Sequence, residues 1–256
     1  MPARDIALLL LVVVAWAINF LTSALSLREI PPFLFTALRF ALLAVPLVFV
    51  VKRPAPGQWP RLIAVCLCIG VLHFGLSFSA LKAAGDLSSP AIVLQSYVPM
   101  TALLAWWLLG ERFAWRTGVA IAISFGLDVY SQQGWTALIA VPPLLAISLV
   151  VEPGGLSTLG VVSWVGWMGV AYAAFVSSLL GHGLYYLLVQ RHPVAQVTPW
   201  LLLVPVIAIA LGIVFWGDRP GPSLWIGGAM VLGGVLLIAL RNLAKARAQR
   251  ALAAEL

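Results

Sequence analysis

Charge is what this sequence has least of. Only 9% of its 256 residues are charged, and only 8 are acidic, whereas soluble domains carry charge on about a quarter of their residues. A soluble chain that is 62% hydrophobic would have to bury nearly everything it has. A lipid-facing exterior removes that demand, so the composition indicates a polytopic membrane protein. The net charge of +7 reflects the shortage of acids. Lys and Arg are not gathered on a polar face, which excludes a nucleic-acid partner. The one basic cluster, RNLAKARAQR (241–250), directly follows an apolar run and reads as a cytoplasmic anchor beside anionic lipid. Cysteine is also scarce. Cys66 and Cys68, in AVCLCIG, would point to different faces of a helix, which argues against a disulfide or a metal pair and for inert helix residues. HExxH, GxSxG, paired intramembrane aspartates and metal-spaced His/Cys/Asp clusters are lacking too. An enzyme is therefore not expected, nor a metal or cofactor.

What is present is a row of apolar segments, at 6–25, 33–51, 62–81, 91–109, 114–125, 135–151, 164–188, 199–216 and 223–240. All but one match the roughly 20 residues a helix needs to cross a bilayer. Arg4 followed by an apolar run from Ile6 has the look of a signal peptide, but among so many spans it reads as a first transmembrane helix. The exception, 114–125, would rise only about 18 Å as a helix and cannot cross alone. Either a segment is lacking beside it, or it is re-entrant and the chain has eight true spans. Connections such as REIPP (28–32), AGDLSSP (84–90) and GDRPGP (217–222) are short, leaving no room for a soluble domain.

An internal echo links the two parts of the chain. WWLLGER (106–112) and IVFWGDR (213–219) end apolar runs at an offset of 107, and each run contains a proline, Pro99 and Pro205. Weak similarity of this kind is typical of transporter halves. With ten spans and a cytoplasmic N-terminus, the inside positions hold Arg4, Lys52, Arg53, Arg61, Arg112, Arg116, Arg191, Arg241, Lys245, Arg247 and Arg250. The outside ends then hold Arg28, Lys82 and Arg219, a clear positive-inside bias with both termini cytoplasmic.

VVVAWAINF (12–20), IPPFLFTALRF (30–40), SSPAIVLQS (88–96), LLGERF (108–113), VAYAAFVSSLLGHG (170–183) and LLLVPVIAIALG (201–212) together resemble EamA-type members of the drug/metabolite transporter superfamily, nearest to the bacterial O-acetylserine/cysteine exporters. The resemblance runs through nearly the whole chain in order. It implies an all-α, ten-helix architecture of two inverted five-helix repeats with a substrate cavity between them, in the bacterial inner membrane. In such a plan residues 1–125 form the first half, with the fifth helix truncated, residues 126–242 form the second half, and residues 243–256 form a basic cytoplasmic tail. The sequence departs from the family around Phe125–Gly126, where a turn and a whole sixth helix, about 30 to 40 residues by the length a span requires, are expected to be absent.

Polar groups inside the membrane usually face a cavity or another helix. Trp16 and Asn19 share one helix face, as do His73 and Ser77, while Gln95 and Pro99 share another. Ser178, His182 and Tyr186 stack at four-residue steps, and Arg39 lies within the second apolar run. We take Trp16, Asn19, Arg39, His73, Ser77, Gln95, His182 and Tyr186 as candidate substrate-binding residues, with Pro99 and Pro205 bending their helices. Blander readings stand beside these. The serines can bond their own helix backbone, Asn19 or Gln95 can tie helices together, Arg39 can snorkel outward, and Tyr186 can sit in an interfacial belt. No acid lies deep in a span. Proton coupling would therefore fall to His73 or His182, and exchange with a counter-substrate or facilitated export needs no such carrier.

These features point to export of a small amino-acid-like metabolite such as cysteine or O-acetylserine by alternating access, from a monomer or weak dimer in the lipid bilayer. Efflux of aromatic amino acids or amphipathic drugs is the alternative substrate reading, suggested by the Trp and Tyr content. A non-transport structural membrane protein is the alternative of a different class, and the repeat argues against it.

Overall fold

The computed structural model describes residues 1–96, 100 and 127–254, and no strand occurs among them. Eight helices follow in order: α1 (Ala3–Leu27), α2 (Pro32–Leu47), α3 (Trp59–Ala84), the short α4 (Ser88–Val93), α5 (Val129–Val151), α6 (Trp164–Arg191), α7 (Gln196–Trp216) and α8 (Pro222–Ala254). Five of them, α1, α3, α5, α6 and α7, are long and apolar enough to cross a membrane, and α2 and the start of α8 are apolar but shorter. Pro99, Glu111 and the Phe125–Gly126 junction lie outside the described residues, so the first member of the echo (106–112) and the expected break both fall outside them.

The few acids explain how the helices begin. A helix N-terminus leaves backbone N–H groups without partners, and a carboxylate there satisfies them and complements the helix dipole. Glu152, just past α5, accepts from the N–H groups of Phe33 and Leu34 in the first turn of α2 at 2.8 and 3.1 Å. Asp218 accepts from the N–H groups of Leu87 and Ser88 and from the Ser88 hydroxyl, at 3.0, 3.0 and 2.7 Å. Glu29 accepts from the N–H and the hydroxyl of Ser163, the N-cap of α6. These contacts gather one end of the bundle, where Arg28 also lies over the Trp216 ring. At the opposite end Lys52 pairs with Asp128 at 2.8 Å, and buried Asp5 holds His192 and Arg191.

The α5 helix starts earlier than its apolar run suggests. Asp128 caps it by accepting from the Ser131 N–H, so the polar stretch 131–133 lies within its first two turns. In α7 the helical ladder is interrupted at Leu202. Pro205 has no N–H for the Leu201 carbonyl, and its ring crowds that carbonyl, which is the expected origin of the break.

Helices α2 and α5 form the antiparallel centre, where Ala37, Leu43, Ala44 and Leu47 share one apolar cluster with Ala137, Ala140 and Leu144. Glycines let neighbouring helices come close, as small residues do in membrane bundles. A Cβ at Gly169 would collide with the Thr22 carbonyl oxygen of α1. The outer faces expose Val45, Phe49, Val150, Phe215 and Leu237, the surface a lipid solvent accepts and water does not.

Candidate substrate cavity

Arg39 sits midway along α2 and is only 1% exposed. Its Nη2 and Nε donate to the Ser178 hydroxyl at 2.7 and 3.2 Å. Its guanidinium carbon lies 4.2 Å from the centre of the Phe74 ring, with Phe40 and Phe78 at 5.3 and 5.4 Å. Aromatic faces and one hydroxyl thus take the place of a counter-ion. Nη1 has no partner.

Ser178 belongs to a long π-helical stretch of α6, Tyr172–His182. The wider turn lets the Ser178 hydroxyl donate to the Ala173 carbonyl at 2.7 Å while it accepts from Arg39. It also sets the His182 ring nitrogen Nδ1 against the Ser177 and Ser178 carbonyls at 3.1 and 3.2 Å. Stretches of this kind recur at functional sites because they turn side chains off the regular helical register. Behind His182 lies Trp16, 5.1 Å away between ring centres, whose indole N–H donates to the Ser177 carbonyl at 3.0 Å. Tyr185 packs on the same indole at 5.6 Å.

Between α2, α3, α5 and α6 these residues border a cavity of about 190 Å³. Arg39, Ser178 and His182 form its polar wall, Phe40, Leu43, Ile69 and Phe74 form the apolar wall, and Val129, Gln132, Gln133 and Thr136 line it from the first turns of α5. Both side-chain polar atoms of Gln133 are buried without a partner.

Of the residues expected at the site, Arg39 and His182 line this cavity. Trp16 supports His182 from behind. Asn19 is half-buried on α1 with an unpartnered Oδ1. His73 is exposed, its ring edge-on to Phe74 at 4.9 Å. Ser77, Gln95 and Tyr186 are half-buried and do not border the cavity, and Pro205 is buried in α7. Sequence reasoning overlooked Gln132, Gln133 and Thr136. Asp128 with Ser131 three positions on was the available signal, because it starts a helix before the apolar run.

The EamA-like transporter family matches the chain twice, over residues 4–127 and 126–240. This chain belongs to that family. It is therefore a multi-pass membrane transporter and not an enzyme. It is 28% identical to a probable amino-acid metabolite efflux pump of Salmonella typhimurium, over 93% of this chain and 94% of the relative. The corresponding pump of Escherichia coli is 25% identical over 93% and 95%. A probable terminal-alkyne amino-acid exporter of Streptantibioticus cattleyicolor is 26% identical over 77% and 78%. The alignment with the Escherichia coli pump has 286 positions but takes in 93% of 256 residues, so several dozen of its positions fall opposite gaps in this chain. No solved structure matches. The family and these relatives support export of small metabolites.

Proposed function

We propose that this protein exports small amino-acid-like metabolites, such as cysteine or O-acetylserine, across a bacterial inner membrane by alternating access of two inverted halves. The observation that carries this reading is the cavity of about 190 Å³ bordered by buried Arg39 and half-buried His182. Its volume is below the roughly 300 Å³ at which drug-sized sites begin, which favours a small polar solute over an amphipathic drug. All four of its walls come from helices this chain possesses.

Reciprocal contacts support the inverted arrangement. The end of α2 holds the start of α5 at one end of the bundle, through Lys52 with Asp128, the Lys52 N–H to the Ser131 hydroxyl, and the Trp135 indole to the Lys52 carbonyl. The end of α5 holds the start of α2 at the other, through Glu152. A two-fold axis lying in the membrane plane between α2 and α5 would relate the two sets. In this reading residues 1–125 and 126–242 are the halves, the second lacks its first helix, and the gaps in the alignment fall there. Both termini face the cytoplasm with the tail 243–256. Trp16, Asn19, His73, Ser77, Gln95 and Tyr186 join the pathway as the halves rock, and Pro99 and Pro205 loosen their helices. The coupling partner is a proton or a counter-substrate.

Proteoliposomes loaded with radiolabelled O-acetylserine test the function. Saturable efflux above that of protein-free vesicles is expected, and equal rates for a panel of small amino acids with and without protein would refute it.

A further inference from the structure

We propose that Arg39 is the carboxylate anchor of the exported solute, assisted by Gln133. This rests on the export reading above and adds what the solute must carry. Arg39 is a buried guanidinium without an acid: among the described residues Asp5, Glu29, Asp86, Asp128, Glu152 and Asp218 all hold helix ends or loops. A cation deep in a membrane protein is costly unless an anion or strong acceptors answer it. Ser178 answers Nε and Nη2, and Nη1 is left without a partner. The amide of Gln133 is equally unsatisfied at both atoms, and both residues line the same cavity. One ligand chemistry answers all three vacant atoms. A planar carboxylate accepts from guanidinium Nη1 and from the Gln133 amide N–H, while the Gln133 oxygen accepts from the ammonium group of the same α-amino acid. Among the described residues the wall has no acid to hold a second cation. Amino acids whose α-carboxylate is esterified or amidated, simple amines and dibasic amino acids are therefore poor solutes.

The test uses the full chain in proteoliposomes loaded with radiolabelled O-acetylserine, with serine and serinamide as competitors, and thermal unfolding in detergent with the same pair. Serine is expected to compete about tenfold better than serinamide and to stabilise the protein where serinamide does not. Arg39→Gln should erase that preference. If that variant fails to fold, Arg39→Lys, which keeps the charge but loses the fork, and Gln133→Leu should each weaken serine selectively. Efflux that serine and serinamide inhibit equally overturns the carboxylate anchor and leaves export standing. Absence of all efflux overturns the export reading, and the thermal shifts then judge Arg39 by themselves. Stabilisation by sodium chloride that serine neither adds to nor displaces makes the site one for an inorganic anion and overturns the proposal.

Discussion

Arg39 on α2 and Ser178 on α6 are joined by two hydrogen bonds to a single hydroxyl oxygen, at 2.7 and 3.2 Å, and that hydroxyl in turn donates to its own helix at Ala173. The link ties the central α2–α5 pair to α6 at the cavity wall. Ser178→Ala removes the acceptor and leaves two more guanidinium donors buried. Losing a hydrogen bond to a charged group costs about 1.5–3 kcal/mol. We expect a lower thermal midpoint in detergent for Ser178→Ala, with partial recovery in Ser178→Thr. An unchanged midpoint would mean that the bond contributes nothing.

The Asp218 carboxylate carries the start of α4. In Asp218→Asn one side-chain oxygen must serve three donors without a charge, and the amide brings donors of its own. A lost cap costs about 0.5–2 kcal/mol. The expected loss of stability lies in that range, with protease sensitivity rising at 85–90 first. Circular dichroism melts and limited proteolysis read both.

Acid should loosen the Glu29 end. The Ser163 N–H and then its hydroxyl hold the Glu29 carboxyl below its ordinary value of 4.5. A depressed folded value contributes stability that is complete above about 4.5 and is lost as the pH falls through the lowered value. Thermal midpoints measured from neutral pH down to about 3 should fall in the acidic range. Glu29→Gln should be less stable at neutral pH and flatter in acid. An equal slope in wild type and variant would remove Glu29 from the account.

Close approach of α1 to α6 should be intolerant of added volume. A Cβ at Gly181 would lie 2.6 Å from the Trp16 indole nitrogen, the atom bonded to the Ser177 carbonyl. Overpacking of this kind costs about 1–3 kcal/mol. Gly181→Ala should lower the thermal midpoint and shift Trp16 fluorescence, whereas Gly57→Ala, in an exposed turn with open space around it, should leave that fluorescence as it is.

The order and type of the described long helices were legible in the sequence because runs of about 20 apolar residues have few other uses. Arg39 and His182 were legible as candidates because polar groups stand out in such runs. Gln133 was not. Between two apolar runs the stretch YSQQG resembles a connection, and only the cap at Asp128 turns it into the inner face of α5. Nor could spacing say which helix face turns inward. Trp16 and Asn19 share a face, yet the indole reaches the π-helical turn of α6 while the Asn19 side chain ends without a partner. His73, at a matching depth, is exposed. Helix rotation is fixed by contacts between distant segments, such as Gly169 against Thr22, and a local pattern does not encode them.

The central claim is that solute passes through the Arg39–His182 cavity, and modification of Gln133→Cys tests it most directly. In a Cys66→Ala, Cys68→Ser background that still exports radiolabelled O-acetylserine, a small methanethiosulfonate reagent should label position 133. Labelling should abolish efflux, and excess O-acetylserine should slow the labelling. Complete labelling with undiminished efflux would contradict the account.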